Sequence, residues 1–236
     1  MGKNNVNIYG IALGPGEPQL ISLKGYNLLH DVDVVYFPGS LTVEGKQYSF
    51  SKNILQQLKV DENKCRGIFI QMSGDRKQAK QAYLDAFYSI KNELQKGKKI
   101  AIVSEGDISF YSTFSYLLEL FQSEGILVSM IPGIPSFLSA SSAHQFPLCR
   151  QDENAAILAR PVNINKVEKA ITEYDTVVIM KINRIKEKLV NYLSQKELEV
   201  FYGEYLGTEH QYITRDIDKI KERKVPYMAL LIIKWK

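Results

Sequence analysis

The sequence predicts an α/β protein. Three observations carry that reading. Strand-like and helix-like segments alternate along the whole chain, and the apolar strand-like runs break off at Gly- and Pro-containing loops. With 45% hydrophobic and 24% charged residues, the composition suits an ordinary packed core and excludes a disordered chain.

The elements follow in order. Val6 to Leu13 is apolar and runs into Gly14-Pro15-Gly16, a strand entering a loop. Pro18 to His30 reads as a short helix, with Pro18 suited to its first turn. Val32 to Phe37 is a second strand, stopped by Pro38-Gly39, and Gly67 to Met72 a third. Arg76 to Gln95 carries Ala79, Ala82, Tyr83, Ala86, Phe87, Ile90 and Leu94, the stripe of an amphipathic helix, with Gly97 placed to end it. Ile100 to Val103 is a strand bounded by Glu105-Gly106-Asp107. A helix follows over Ser109 to Gln122 and a strand over Ile126 to Ile131. Residues 136–143 are rich in Ser and Ala, the texture of a closely packed helix. Asn154 to Ala159, Thr176 to Met180 and Glu199 to Tyr202 read as strands. Ile185, Leu189, Tyr192 and Leu193 mark a helix between the last two, and Tyr227 to Trp235 is a closing strand.

A length of 236 residues allows one large domain or two small ones. The change of texture at Pro132-Gly133 favours two α/β domains, residues 1–132 and 133–236. Thirty Lys and Arg against 26 Asp and Glu give +4, far from the charge of a nucleic-acid coat yet inclined toward an anionic partner. Cys65 and Cys149 form no metal or redox motif, which points to reducing conditions. Met1 to Val6 lacks the apolar core of a signal peptide, and Val6 breaks the myristoylation pattern. No apolar run approaches the roughly 20 residues of a membrane span. These features set the expectation of a cytoplasmic protein without membrane or nucleic-acid partners.

Several common machineries are missing. Gln19 stands where the third glycine of a dinucleotide fingerprint belongs, and there is no P-loop, no H-E-x-x-H and no G-x-S-x-G. His30, His144 and His210 are scattered, and no metal site is expected. What remains are three loops just past strand ends: Leu13-Gly14-Pro15-Gly16-Glu17-Pro18, Ser104-Glu105-Gly106-Asp107 and Ile131-Pro132-Gly133-Ile134. In open α/β sheets ligands lie outside the carboxyl ends of strands, and glycine there lets the backbone approach them closely. The alternative is that each loop is simply a tight turn.

Gly14-Pro15-Gly16-Glu17-Pro18, followed by Leu20, Ile21, Leu23 and Lys24, resembles the opening signature of the tetrapyrrole methylases, the class III S-adenosylmethionine (SAM) methyltransferases. Asp33-Val34-Val35-Tyr36, Glu105-Gly106-Asp107, Pro132-Gly133-Ile134 and the segment from Pro226 to Ile233 are similar to that family's later motifs, in its order, over essentially the whole chain. Within the family, Tyr36 to Ser40, Tyr111 to Leu117, Thr176 to Lys181 and Pro226-Tyr227 look like the branch that methylates carbon 20 of precorrin-2. Uroporphyrinogen and other precorrin methylases are the alternative branches, and a SAM-binding module without turnover is a reading from another class. Ile108 and Pro135 depart from the family's usual Pro and Thr, which bears on local contacts.

The resemblance implies two α/β domains with the active-site cleft between them, a homodimer, SAM as methyl donor and S-adenosylhomocysteine as product. Carried over by position, Pro15, Glu105, Gly106, Asp107, Phe110, Pro135, Ser136, Met180, Gly207 and Tyr227 would contact the cofactor. Asp107 is the candidate base for a ring N–H or bridge proton, and alternatively the N-cap of the helix expected near Ser109. The implied substrate is a tetrapyrrole with eight carboxylates, either metal-free or carrying cobalt. Tyr111, Lys181 and Arg184 are its candidate contacts, with Arg160 and Arg215 as further cations near strand ends.

Overall fold

The computed structural model describes residues 6–42, 44–71 and 76–235. Met72, expected to end the third strand, and the leader reading of Met1–Asn5 lie outside the described residues. The chain divides into two compact units, one up to Pro135 and one from Ser136. Among the described residues no helix is long and apolar enough to cross a membrane.

The first unit runs β1 (Ile8–Ala12), α1 (Leu23–Asp31), β2 (Val34–Leu41), β3 (Gln47–Tyr48), α2 (Phe50–Gln57), β4 (Cys65–Gln71), α3 (Arg76–Gln95), β5 (Ile100–Ser104), α4 (Phe114–Ser123) and β6 (Ser129–Ile131). Strands β2, β5, β1 and β6 lie side by side and parallel, β4 pairs parallel with β2, and β3 pairs antiparallel with the far end of β2. Both faces of this sheet are covered, as parallel sheets require. Tyr83, Phe87 and Ile90 of α3 and Leu117 and Phe121 of α4 pack on one face with Ile8, Ile100 and Ile102. Leu29 of α1 and Ile54 and Leu55 of α2 pack on the other with Ile11, Val35 and Val103.

The second unit runs α5 (Ser136–Ala143), β7 (Ala155–Leu158), α6 (Ile164–Glu173), β8 (Thr176–Met180), α7 (Lys186–Leu193), β9 (Leu198–Glu204), β10 (Tyr212–Thr214), α8 (Ile217–Glu222) and β11 (Ala229–Trp235). Its sheet has the order β10-β9-β11-β8-β7 and is mixed: β7 and β8 are parallel, while β11 runs antiparallel between β8 and β9. Val167 and Ile171, Leu189 and Leu193, and Ile220, one helix after another, cover Ile179, Leu231 and Tyr202 on one face of it. The architecture is α/β throughout, with one sheet in each unit.

Four expected boundaries shift for local reasons. The helix expected over Pro18 to His30 is split: Pro18–Leu20 is a single 3-10 turn, and α1 starts at Leu23, where the Ser22 hydroxyl accepts the amide of Gly25. Strand β2 does not stop at Pro38-Gly39 but continues to Leu41. Its pairing with β5 ends at Tyr36, so the missing Pro38 amide falls where one edge of the strand is free of that neighbour. The helix expected from Ser109 begins at Phe114, because Ser109 to Thr113 form turns and Tyr111 takes a left-handed backbone with φ of 51°. The strand expected from Ile126 begins at Ser129. The amides of Glu124, Gly125 and Ile126 instead close the end of α4 on the carbonyls of Phe121 and Gln122.

Candidate active site

The three glycine loops meet at the carboxyl edge of the first sheet, because the strands they follow, β5, β1 and β6, are neighbours. Leu13 donates its amide to Ser104 O at 2.8 Å. Gly14 and Gly106 then exchange a pair of backbone bonds, Gly106 N to Gly14 O at 2.6 Å and Gly14 N to Gly106 O at 3.2 Å. The third loop packs against both: a Cβ at Gly133 would lie 2.6 Å from Ala12 Cβ and 2.7 Å from Gly106 O, so only glycine fits. Gly106 is the opposite case. Its φ is +67° and nothing lies within 4 Å of where a Cβ would stand. Its free face is open while its backbone polar groups are held by Gly14.

The two acids flanking Gly106 turn toward the protein. Glu105 Oε1 accepts both the amide of Ser51 at 3.0 Å and its hydroxyl at 2.6 Å. Asp107 is 8% exposed. Its Oδ1 accepts from the amide of Ser109 at 2.9 Å and from its hydroxyl at 2.5 Å, and its Oδ2 accepts the amide of Gly133 at 2.7 Å. Burial alone would raise the pKa of this carboxyl. The hydrogen bonds from Ser109 and Gly133 outweigh it and hold the group below its ordinary value. A carboxylate so held is a weak proton acceptor, and it caps a turn rather than a helix.

Around this edge, Pro15 is half-buried in the turn between Gly14 and Gly16, and Pro135 is half-buried just before α5. Phe110 donates its amide to Asp107 O at 3.3 Å, and its ring meets Tyr111 edge-on with centroids 4.6 Å apart. Tyr111 is 54% exposed. A bulky residue in the left-handed region costs of order 1–2 kcal/mol. Here the backbone carries that strain while presenting the phenol to solvent.

In the second unit, Met180 ends β8 opposite Leu230, and the left-handed Lys181 donates its amide to Ala229 O at 2.9 Å. The Lys181 ammonium lies over the ring of Tyr227, 5.2 Å from the centroid, at the entry to β11. Tyr205 leaves β9 at the same end of the sheet, donating its amide to Met228 O at 3.1 Å, and leads into Gly207, whose amide is bound by Gln211 Oε1 at 2.9 Å. Met180, Lys181, Gly207 and Tyr227 thus gather at one end of this sheet. Arg160, after β7, and Arg184, in the helical turn after Lys181, are exposed, and Ser136 opens α5. Arg215, also exposed, donates to His144 O and stacks on Phe201, 4.7 Å from the ring centroid. Ser51 was invisible to motif reading; no pattern marks a serine in the first turn of α2 as a partner of a loop acid.

The sequence matches the Tetrapyrrole (Corrin/Porphyrin) Methylases over residues 7–220. It is 31% identical over 189 residues to the probable cobalt-precorrin-2 C(20)-methyltransferase of Methanocaldococcus jannaschii, covering 80% of this chain and 78% of that protein. The fold is similar to that of cobalt precorrin-4 methyltransferase, a cobalamin biosynthetic enzyme, with TM-score 0.73 and 19% identity over 97% of this chain and 94% of that one. It is also similar to the uroporphyrin-III C-methyltransferase of Thermus thermophilus complexed with S-adenyl homocysteine, with TM-score 0.61 and 16% identity over 97% of each chain. A match of this length, on the same loops that converge at the sheet edge, settles the family. The chain belongs to the tetrapyrrole methylases, which are SAM-dependent enzymes, and is a methyltransferase.

Proposed function

We propose that the chain transfers the methyl group of SAM to carbon 20 of precorrin-2, or of its cobalt complex, and releases S-adenosylhomocysteine. One observation carries the assignment of the site: the three glycine loops meet at one sheet edge, two of them joined backbone to backbone and the third tied to them by Asp107, with Glu105 and Asp107 drawn into the protein. Substrate identity rests on the similarity to the probable cobalt-precorrin-2 C(20)-methyltransferase of Methanocaldococcus jannaschii.

The residues fit SAM. Gly106 offers an open face with room for a ligand, and no carboxylate of its loop is free to sit against a sulfonium. A full negative charge beside that sulfur would stabilise the substrate more than the transition state, in which the positive charge is fading. Pro15, Glu105, Gly106, Asp107, Phe110, Pro135, Ser136, Met180, Gly207 and Tyr227 are the cofactor contacts of this reading. When bound, SAM supplies an electrophilic methyl group and its own leaving group. The protein's task is then alignment of the acceptor carbon, at about 3–3.5 Å in a reactive complex. Asp107 serves this by keeping two loops joined rather than by taking a proton. Tyr111, Lys181 and Arg184 are the proposed contacts of the tetrapyrrole, the two cations for its carboxylate arms and the exposed phenol for its ring edge. The working form in this reading is a homodimer in the cytoplasm.

The test is turnover. The purified protein is incubated with SAM and either precorrin-2 or cobalt-precorrin-2, and the product is read by mass spectrometry and carbon-13 NMR. One added methyl at carbon 20 is expected. A methyl at another carbon moves the enzyme to a different branch of the family, and SAM binding without turnover makes it a binding module. Within this scheme, Lys181→Glu and Arg184→Glu should each raise the tetrapyrrole KM several-fold with little change in that of SAM.

A further inference from the structure

We infer that Ser51, in the first turn of α2, is a positioning residue for the cofactor loop and acts on it through Glu105. The inference rests on the proposed SAM site and adds to it a residue that lies outside every motif in the chain.

Ser51 is fully buried, and both of its donors point at one oxygen, Glu105 Oε1. The amide in question is one of the first-turn N–H groups that an α-helix leaves without a partner of its own. The local cap does not reach it: the Ser49 hydroxyl accepts from Lys52 instead. The loop after β5 therefore completes the helix start with a carboxylate, the charge that a helix N-terminus favours. This joint has one stiff side. Ile54 and Leu55 seat α2 in the core with Val35 and Phe37. The other side is intrinsically soft. Gly106 sits at φ +67°, no neighbour crowds its Cβ position, and its shape depends on what holds the residues around it. Gly14 holds it by backbone bonds, Asp107 holds the residue after it, and Ser51 holds the residue before it. A binding loop prearranged in this way loses less freedom when a ligand arrives, which raises affinity.

A helix cap of purely structural value would affect stability and leave affinity alone. The experiment separates the two by calorimetric titration of S-adenosylhomocysteine into wild type, Ser51→Ala, Glu105→Ala, the double variant and Ser49→Ala, with a thermal melt of each. Ser51→Ala is expected to bind about tenfold more weakly, the range for losing a hydrogen bond to a charged group. The double variant is expected to bind no more weakly than Glu105→Ala alone, since both remove the same link. Ser49→Ala should lower the melting temperature while binding within about twofold of wild type, as expected for a substitution outside the link. Should Ser51→Ala not fold, Ser51→Cys keeps the volume, loses the strong donor and repeats the comparison. Unchanged affinity in the Ser51 variants, losses that multiply in the double variant, or an equal loss in Ser49→Ala would each overturn the inference. Failure of the wild type to bind S-adenosylhomocysteine would instead overturn the site itself.

Discussion

Asp107 Oδ2 accepts the amide hydrogen of Gly133 at 2.7 Å, joining the loop after β5 to the loop after β6 across the strand that lies between them. The other oxygen of the same carboxylate is taken by Ser109. The carboxylate that is the candidate base is thereby also a clasp of the sheet edge, and its value to the fold depends on its charge.

Asp107→Asn tests that dependence. The amide can still present its oxygen to Ser109, but its NH2 then faces the Gly133 N–H, donor to donor. The expected loss is about 2 kcal/mol of folding stability at neutral pH. The sign with pH follows from the lowered pKa. The charged clasp contributes fully above the unfolded-state value of about 3.9, and that contribution is lost as pH falls through the lower folded-state value. The stability gap between wild type and variant should hold steady above about pH 5 and narrow below about pH 4, read by urea unfolding across that range. Turnover offers the second check: a clasp predicts a higher KM for SAM with the pH–rate profile unmoved, whereas loss of an acidic limb in that profile would restore Asp107 as a proton acceptor.

Gly133→Ala attacks the same edge from the other side. The added methyl would overlap Ala12 Cβ and the carbonyl of Gly106, both fixed by sheet and loop backbone. Overpacking against backbone costs about 1–3 kcal/mol, and relief here requires moving the Gly106 loop. A melting temperature lowered by several degrees together with at least tenfold weaker S-adenosylhomocysteine binding is expected. Gly97→Ala is the comparison, since Gly97 shares the positive φ of Gly106 but stands at a helix end with open space around it. It should lose stability alone.

Legibility of the sequence varied with the physical cause of each element. Strands β1, β5, β8 and β11 were plain because buried parallel or central strands are continuous apolar runs, and α3 because twenty residues sustain a clear period. Helices α2, α6 and α8 went unseen. Each is ten residues or fewer and opens on an ordinary polar cap, Ser49, Asn163 or Asp216, that also suits a turn. The three glycine loops were legible as candidates because all three follow strand ends in one chain, where open α/β sheets place their ligands. Their convergence was not, since it depends on β5, β1 and β6 becoming neighbours across more than a hundred residues of chain. The inward turn of Glu105 and Asp107 was equally hidden, because the sequence shows a carboxylate but not which amide it finds.

Tyr111 permits strain and function to be separated. Its left-handed backbone disfavours any residue with a Cβ, and β-branched residues most. Tyr111→Gly relieves about 1 kcal/mol of strain and gives up the edge contact with Phe110, worth a similar amount, so stability should change by less than about 1 kcal/mol. Tyr111→Val keeps the strain and should lose about 1–2 kcal/mol. Both variants lack the phenol. If the ring touches the tetrapyrrole, both lose turnover alike despite their different stabilities; turnover that tracks stability instead would remove Tyr111 from the substrate site.

His144 sets a pH dependence in the second unit. Its ring is buried against Phe146 and Phe201, with Nε2 2.9 Å from Tyr202 O, while Arg215 binds the carbonyl of the same residue. Burial, and then the Arg215 charge, push its pKa below the ordinary value, against the opposing pull of the Tyr202 carbonyl. The unfolded chain therefore takes up a proton before the folded chain does. Stability should fall as pH drops below about 6.5, with a slope of at most about 1.4 kcal/mol per pH unit, and the fall should stop once the folded-state value is passed. His144→Gln can still donate a side-chain N–H to Tyr202 O but cannot take the proton. Its unfolding free energy should be flat between about pH 5 and pH 6.5 where that of the wild type declines, and parallel curves for the two proteins would show that the acid sensitivity arises elsewhere.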